Sequence, residues 1–467
     1  MSELGTSHLP KGWAWKTIPD LVRNDGVFID GDWVESKDQD SNGNVRLIQL
    51  ADVGDGVYRD KSDRFMTKKK ADELRCTFLK DGDVLIARMP DPLGRACIFP
   101  GDPKPSVTVV DVAIVRSGKG EFDHSWLANF VNAHEFRSAI SGLQAGSTRK
   151  RISRGNLATI PLPVPPLPEQ HKIVAEIEKQ FTRLEAGVAA LRRVQANLKH
   201  YRAAVLKAAC EGKLVPTEVE LAKNGNRKSK LETGEALLAL ILTERRQNWQ
   251  GRGQYKEPAA PDTVGLPPLP EGWTWATMPQ LGELNRGKSK HRPRDDSRLY
   301  DGPYPFIQTG DIRRSRGTIR EHTQTYSEFG LQQSRLWPEG TLCITIAANI
   351  AETGILKFKS CFPDSVVGFT NNAHPDTTRY VEFFIRTAKE KLAQFAPATA
   401  QKNINLDVLQ KVAIPLPPLA EQTRIVAEVE RRLSVVEELE SVVTANLQRA
   451  TRLRQSILQK AFTGELT

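Results

Sequence analysis

The sequence predicts an α+β fold in which two similar mixed α/β domains are separated by two long helices packed as an antiparallel coiled coil. Three observations predict it. First, one passage is written twice: Ile160-Pro-Leu-Pro-Val-Pro-Pro-Leu-Pro-Glu-Gln170 runs into His171-Lys-Ile-Val-Ala-Glu-Ile-Glu178, and Ile414-Pro-Leu-Pro-Pro-Leu-Ala-Glu-Gln422 runs into Thr423-Arg-Ile-Val-Ala-Glu-Val-Glu430. Second, the register holds beyond the motif, because the difference 422 − 170 = 252 recurs between Ile152 and Ile404 and between Gly212 and Gly464. Third, the openings Leu9-Pro-Lys-Gly-Trp-Ala-Trp15 and Leu269-Pro-Glu-Gly-Trp-Thr-Trp275 differ by 269 − 9 = 260 instead. A part of variable length therefore precedes a part of fixed length in each copy.

The 467 residues allow roughly three or four folding units at about 100–200 residues each. The pattern places them at 1–165 (first α/β domain), 166–268 (long helix, insertion helix and linker), 269–417 (second α/β domain) and 418–467 (C-terminal long helix). A net charge of +10 and a pI near 9.3 point toward polyanion partners. Cys76, Cys97, Cys210, Cys343 and Cys361 stand singly, without a CxxC or a nearby His cluster, which argues for a reducing compartment and against a disulfide framework or structural zinc. The amino terminus lacks a basic and apolar signal sequence, and no apolar run is long enough to span a bilayer. A soluble, cytoplasmic protein with no membrane partner is expected.

Within the first domain, Asp81–Arg88 and Val107–Val115 read as strands bounded by turn residues, and Ser125–His134 reads as a helix. The second domain echoes this weakly, with Phe306-Ile-Gln-Thr-Gly-Asp-Ile312 against Leu47-Ile-Gln-Leu-Ala-Asp-Val53. Each domain ends at a Pro-rich stop, which a helix entrance tolerates because its first N–H groups lack partners anyway. Beyond the stops, Ile177, Phe181, Leu184, Val188, Leu191 and Leu198 recur at four and three spacing, and Val429, Leu433, Val436, Val443 and Leu447 follow the same seam. Gly212 and Gly464 stand where C′ glycines end helices. A helix from Leu167 to Gly212 would extend about 65 Å, and two of matched length could hold the domains apart. The alternative, each helix buried on its own domain, leaves the equal lengths unexplained. Between the halves, Glu218 to Lys230 reads as a loop, Gly234 to Trp249 as an amphipathic helix and Gln250 to Pro270 as a linker.

Two motifs invite chemistry and fail on context. Gly282-Glu-Leu-Asn-Arg-Gly-Lys-Ser289 fits the phosphate-loop pattern, but no apolar strand delivers it and Pro293 interrupts the helix that should follow. Pro90-Asp91 with Asp102-Pro-Lys104 can be forced into a metal-nuclease pattern, but Pro103 breaks the rigid frame that paired acids need. There is no Gly-rich methyl-donor loop and no Asn-Pro-Pro-aromatic tetrapeptide. The expected catalytic set is none, and likewise the metal set.

Polyanion binding has better candidates. Thr148, Arg149, Lys150, Arg151 and Arg154 lie just before the first Pro stop, and Gln401, Lys402 and Asn403 in the matched stretch. Lys and Arg grip phosphates, Arg pairs well with guanine and Asn or Gln with adenine, so different polar sets would give different base preferences. Lys68, Lys69, Lys70, Arg75, Arg88, Arg286, Lys288, Lys290, Arg292, Arg313 and Arg314 complete the set. Against it stands the ordinary role of a Lys/Arg cluster, a solvated face.

The Pro-Pro-Leu-x-Glu-Gln helix start, the Leu-Pro-x-Gly-Trp-x-Trp opening and the Leu-Gln-Lys-Ala-Phe-Thr-Gly-Glu-Leu466 ending together resemble the specificity subunit of type I restriction–modification systems, over essentially the whole chain. The resemblance implies two target-recognition domains that each read half of a bipartite DNA site, and a coiled coil that sets the spacer and docks adenine methyltransferase subunits. Carried onto this chain, the docking and coiled-coil positions are Glu169, Gln170, Ile177, Phe181, Leu184, Leu191, Glu421, Gln422, Val429, Leu433, Val436 and Val443. It implies a non-catalytic prokaryotic protein, with S-adenosylmethionine, ATP and Mg on the methyltransferase and restriction/translocase partners. Two other readings stand beside it: the recognition subunit of a system whose partner both methylates and cuts, and a coiled-coil scaffold that binds only protein. An ATPase acting through Lys288 is the enzymatic alternative.

Overall fold

The computed structural model describes residues 9–466 apart from 24, 120–121, 147–148, 226–231, 251–252, 348–349, 372 and 395–403. Two compact units divide the chain, Met1–Arg193 with Val443–Thr467 and Val194–Val442.

The first unit begins with β1 (Ala14–Lys16), α1 (Ile18–Val22), β2 (Val27–Asp30), β3 (Val45–Ile48), β4 (Phe65–Met66) and α2 (Lys68–Glu73). Then come β5 (Val84–Ala87), β6 (Ala96–Ile98), β7 (Ser106–Thr108), β8 (Val112–Arg116), α3 (His124–Val131), α4 (His134–Leu143), α5 (Arg154–Ala158), β9 (Leu162–Val164) and the long α6 (Leu167–Cys210). After α6 the chain forms α7 (Glu218–Lys223), α8 (Gly234–Gln247), β10 (Thr274–Thr277), α9 (Met278–Leu281), β11 (Glu283–Arg286), β12 (Tyr300–Phe306) and α10 (Thr309–Arg314). It continues through β13 (Gly317–Ile319), β14 (Gln324–Tyr326), α11 (Glu328–Gln332), β15 (Leu342–Thr345), β16 (Thr353–Leu356), β17 (Val366–Thr370), α12 (Pro375–Gln394), α13 (Leu406–Gln410), β18 (Ala413–Leu416) and α14 (Leu419–Thr463).

Both units are built on one antiparallel sheet plan. The order is β2-β8-β5-β6 in the first and β11-β17-β15-β16 in the second, where β13 is added parallel to β16 at the edge. Smaller sheets, β4-β3-β7 and β12-β14, flank them.

The Pro-rich stops are partly strands. β1 pairs with β9, setting Trp15 opposite Pro163, and β10 pairs with β18, setting Trp275 opposite Pro415. In a two-stranded ribbon both strands are edges, so a proline that cannot donate breaks no further ladder. The ribbon leads straight into a fastener. Trp13 Nε1 donates to Glu169 Oε1 at 3.0 Å, and Trp273 Nε1 to Glu421 Oε1 at 3.0 Å. Gln170 Nε2 donates to Pro165 O at 2.9 Å while its Oε1 accepts the Asp123 N–H at 2.9 Å. Gln422 repeats this, donating to Pro417 O at 2.8 Å and accepting from Thr377 Oγ1 at 2.7 Å. The opening motif and the helix-start motif thus recur together because each completes the other.

The long helices bury part of the four-and-three pattern. Ile177, Phe181, Val429, Leu433, Val436 and Val443 are buried, and Leu184 and Leu191 half-buried. In the first unit Phe462 of α14 packs edge-on to Phe130, with ring centroids 5.0 Å apart, beside Trp126 and Ile173. In the second, Val205, Leu206 and Ala209 of α6 join a core with Trp273, Tyr380, Val429 and Leu433. Burying each such side chain stabilises by about 1.5–3 kcal/mol. Both helices end in the same cap, with Lys213 N–H donating to Ala208 O and Glu465 N–H to Lys460 O, each at 2.9 Å.

Three expectations change. The run Val107–Val115 is two strands in different sheets, β7 beside β3 and β8 between β2 and β5, because a turn interrupts it. Residues 134–143 add α4, which buries Phe136, Ala139 and Ile140. The stretch read as a loop from Glu218 begins with α7, started by a Thr217–Glu220 capping box and anchored by buried Val219. α6 and α14 each contribute to both compact units. Among the described residues no helix is long and apolar enough to cross a membrane.

Candidate nucleic-acid interface

In the first unit the basic stretch is a closed loop. Ala145 N–H donates to Arg151 O at 2.8 Å, and Arg151 N–H to Ala145 O at 2.9 Å. Arg149, Lys150 and Arg151 project from it exposed, without an acidic partner among the described residues. Thr148 lies outside those residues. The loop is rooted on the main sheet, where Ile152 N–H donates to Arg88 O at 3.1 Å.

Arg88 itself is a structural cation. Its Nε stands 3.2 Å from the Asp30 carboxylate, and its Nη2 donates to Val110 O at 2.6 Å. Arg154 shares Asp30 at 3.6 Å and donates to Phe28 O at 2.9 Å, yet stays exposed. Sequence reasoning missed Asp30, since nothing local ties it to Arg88 or Arg154, 88 − 30 = 58 and 154 − 30 = 124 positions away. The α2 lysines sit elsewhere, because Ala71 packs on the β4-β3-β7 sheet. Lys68 pairs with Asp72 and Lys70 with Glu73, which leaves Lys69 and Arg75 exposed without an acidic partner among the described residues.

In the second unit, Glu283–Arg286 of the phosphate-loop lookalike is strand β11, hydrogen-bonded along β17. Gly287 N–H donates to Val366 O at 2.8 Å and Lys288 N–H to Phe362 O at 3.1 Å, so two of the N–H groups that would cradle phosphate are spent, and no helix follows directly. Arg286 donates to Asp364 O at 2.7 Å, and Arg292 folds back onto Ser289 O at 2.7 Å. Lys288, Lys290 and Arg313 are exposed without an acidic partner among the described residues, whereas Arg314 pairs with Asp311 at 2.6 Å. Gln401, Lys402 and Asn403 lie outside the described residues.

Most of the other predicted residues serve the architecture. Gln170, Glu421 and Gln422 are each no more than 1% exposed, their polar atoms satisfied inside their own unit, and Glu169 holds Trp13. Burial pushes the Glu421 carboxyl above the usual range, against the hydrogen bonds from Glu218 N–H and Trp273. Sequence reasoning also missed Lys199 on α6 and Arg386 on α12, which face a shared cleft of the second unit. Cations on separate helices read as ordinary solvated charges until the fold brings them together.

The class that the fold defines is a duplicated α+β sheet unit carrying exposed cations on strand-rooted loops and fastened to long helices. A family model described as the type I restriction modification DNA specificity domain matches residues 10–190 and 270–441, and the chain belongs to that family. It is 25% identical over 341 residues to the specificity subunit of the type I restriction enzyme EcoBI of Escherichia coli, covering 71% of this chain and 64% of that protein. To the EcoKI specificity subunit of Escherichia coli strain K12 it is 24% identical over 351 residues, covering 73% and 65%. The matches thus span about two-thirds of the length of these relatives. One solved chain, from a structure addressing complex assembly and conformational transition of the type I R-M system, superposes with a TM-score of 0.65 at 18% identity, covering 98% of this chain and all of that one. The fold is shared with it.

Proposed function

We propose that this chain is the non-catalytic subunit that reads a bipartite, gapped double-stranded DNA target for a type I restriction–modification system. One head reads each half-site, and the chain positions adenine methyltransferase and restriction/translocase subunits on the DNA. S-adenosylmethionine, ATP and Mg belong to those partners.

The observation that carries this reading is the repetition of one sheet order in two heads whose exposed cations differ. A shared scaffold with different polar surfaces suits two different base sequences, because phosphate contacts position a protein while base-edge contacts specify. The matched helix lengths suit a fixed spacer, since B-DNA advances about 3.4 Å per base along a strand.

Head exchange tests it. Replacing residues 9–160 by those of another member should change one half-site and leave the other half-site and the spacer unchanged. Inserting about one heptad after Gln170 should alter or abolish the spacing and leave both half-sequences unchanged. Altered half-sequences at constant spacing in the insertion variant would sink the reading.

A further inference from the structure

Glu382 on α12 is fully buried, with Thr353 Oγ1 donating to its Oε1 at 2.8 Å and Arg379 and Arg386 each 3.5 Å from the carboxylate. Its Oε2 accepts no hydrogen bond from the described residues. Replacing a buried ion pair by apolar side chains is often neutral or stabilising, so folding alone does not account for such a cluster.

The two arginines differ. Arg379 is engaged, donating to Gly317 O at 2.9 Å and to Glu430 at 3.0 Å. Arg386 has Glu382 as its one partner among the described residues, and its side chain, 19% exposed, lines a cleft of about 510 Å³ in the second unit. Lys199 and Arg313 line the same cleft, exposed and without an acidic partner among the described residues. The remaining cations there are balanced: Arg202 and Arg316 by Glu440, at 3.1 and 3.8 Å, Lys207 by Glu211 at 3.8 Å, and Lys389 by Glu352 at 2.6 Å. A guanidinium held from behind by a buried carboxylate, its other donors facing a cleft with two uncompensated cations, is preorganised for an anion with several acceptor oxygens.

We infer that this cleft holds a backbone phosphate of duplex DNA, with Arg386 presenting its guanidinium fork and Lys199 and Arg313 adding charge. The inference rests on the DNA-recognition reading and adds that α6, expected only to space and dock, itself grips the DNA. An acidic segment of a partner protein is the competing occupant.

The test uses the full chain with its methyltransferase and two short labelled duplexes, one carrying the genomic target and one with both halves scrambled. Lys199→Gln with Arg313→Gln alters two exposed residues and leaves the core intact. It should lower affinity for both duplexes by the same factor, about tenfold, and flatten the salt dependence by about one unit of slope per lost phosphate contact. Arg386→Lys should weaken both duplexes equally as well, by losing the fork while keeping the charge. Unchanged affinity and slope in the double variant, while the parent chain binds, would overturn the inference and leave the DNA reading standing. A loss confined to the target duplex would overturn it in favour of base reading, and lost methyltransferase assembly at unchanged DNA affinity in favour of the acidic partner. A parent complex that binds neither duplex brings down the DNA reading, and this inference with it.

Discussion

Glu185 meets Arg454 at 3.4 Å across the helix seam of the first unit, and Glu437 meets Arg202 at 3.6 Å across that of the second. Both acids and both arginines are repeat equivalents, since 437 − 185 and 454 − 202 each give 252. The duplicated segment therefore encodes one antiparallel pairing rule and applies it twice, each helix giving the acid in one unit and the arginine in the other. Arg454 also lies over the Phe181 ring, 4.0 Å from its centroid.

Charge reversal at this pair should be rescued by its partner. Arg454→Glu is expected to destabilise the first unit, and adding Glu185→Arg to restore part of the loss, with a coupling of up to about 1 kcal/mol because the pair is largely exposed. Arg454→Ala should cost more than Glu185→Ala, since it also uncovers Phe181. Thermal melts of the four variants decide it; equal effects of the two alanines would show that the stacking contributes nothing.

The two fasteners should differ in strength. Trp273 and Glu421 are both buried, whereas the Trp13–Glu169 pair is only part-buried. Trp273→Phe strands a buried carboxylate and should cost about 1–3 kcal/mol, with Trp13→Phe costing less. Denaturant unfolding of both variants tests the order.

Glycines at the helix ends should act on the unit they touch. Gly464 has φ +81° and an added Cβ would lie 2.6 Å from Pro10 Cγ; Gly212 has φ +67° and its Cβ would lie 2.6 Å from Pro270 Cγ. Left-handed backbone alone costs a non-glycine about 1–2 kcal/mol, and the contact adds to it. Hydrogen exchange should report Gly212→Ala as loosening the second unit, although the residue follows the first repeat's helix, and Gly464→Ala as loosening the first.

Acidity should favour the second unit through Glu382 and Glu421. Burial, the largest influence on both, raises their carboxyls above the ordinary 4.5. A group whose folded pKa is raised contributes stability that is fully present below the unfolded value and is lost as pH climbs through the folded one. Stability owed to these groups should therefore fall as pH rises above the ordinary 4.5. In Glu382→Gln that slope should shrink, as melts across this range would show; an unchanged slope would clear Glu382 of the effect.

The fold was legible where the sequence repeats itself. Gln170 and Gln422, the heptad seam and the terminal glycines mark elements whose local pattern and tertiary role coincide. What escaped were arrangements made by distant residues: β7 and β8 parted into separate sheets, α7 folded by a capping box inside a polar stretch, and Asp30 joined to Arg88 and Arg154. Charge alone marked Arg88, Arg149 and Arg286 alike, and only the fold separates Arg149, exposed on its loop, from Arg88, consumed by Asp30 and Val110.

The central claim is that this chain dictates a two-part DNA target. Its most direct test is a single-molecule methylome of cells carrying this gene with its cognate methyltransferase gene, against cells lacking only this gene. The account predicts a gapped, two-part adenine-methylated motif that disappears with the gene. An identical methylome in both strains, with the methyltransferase expressed, would contradict it.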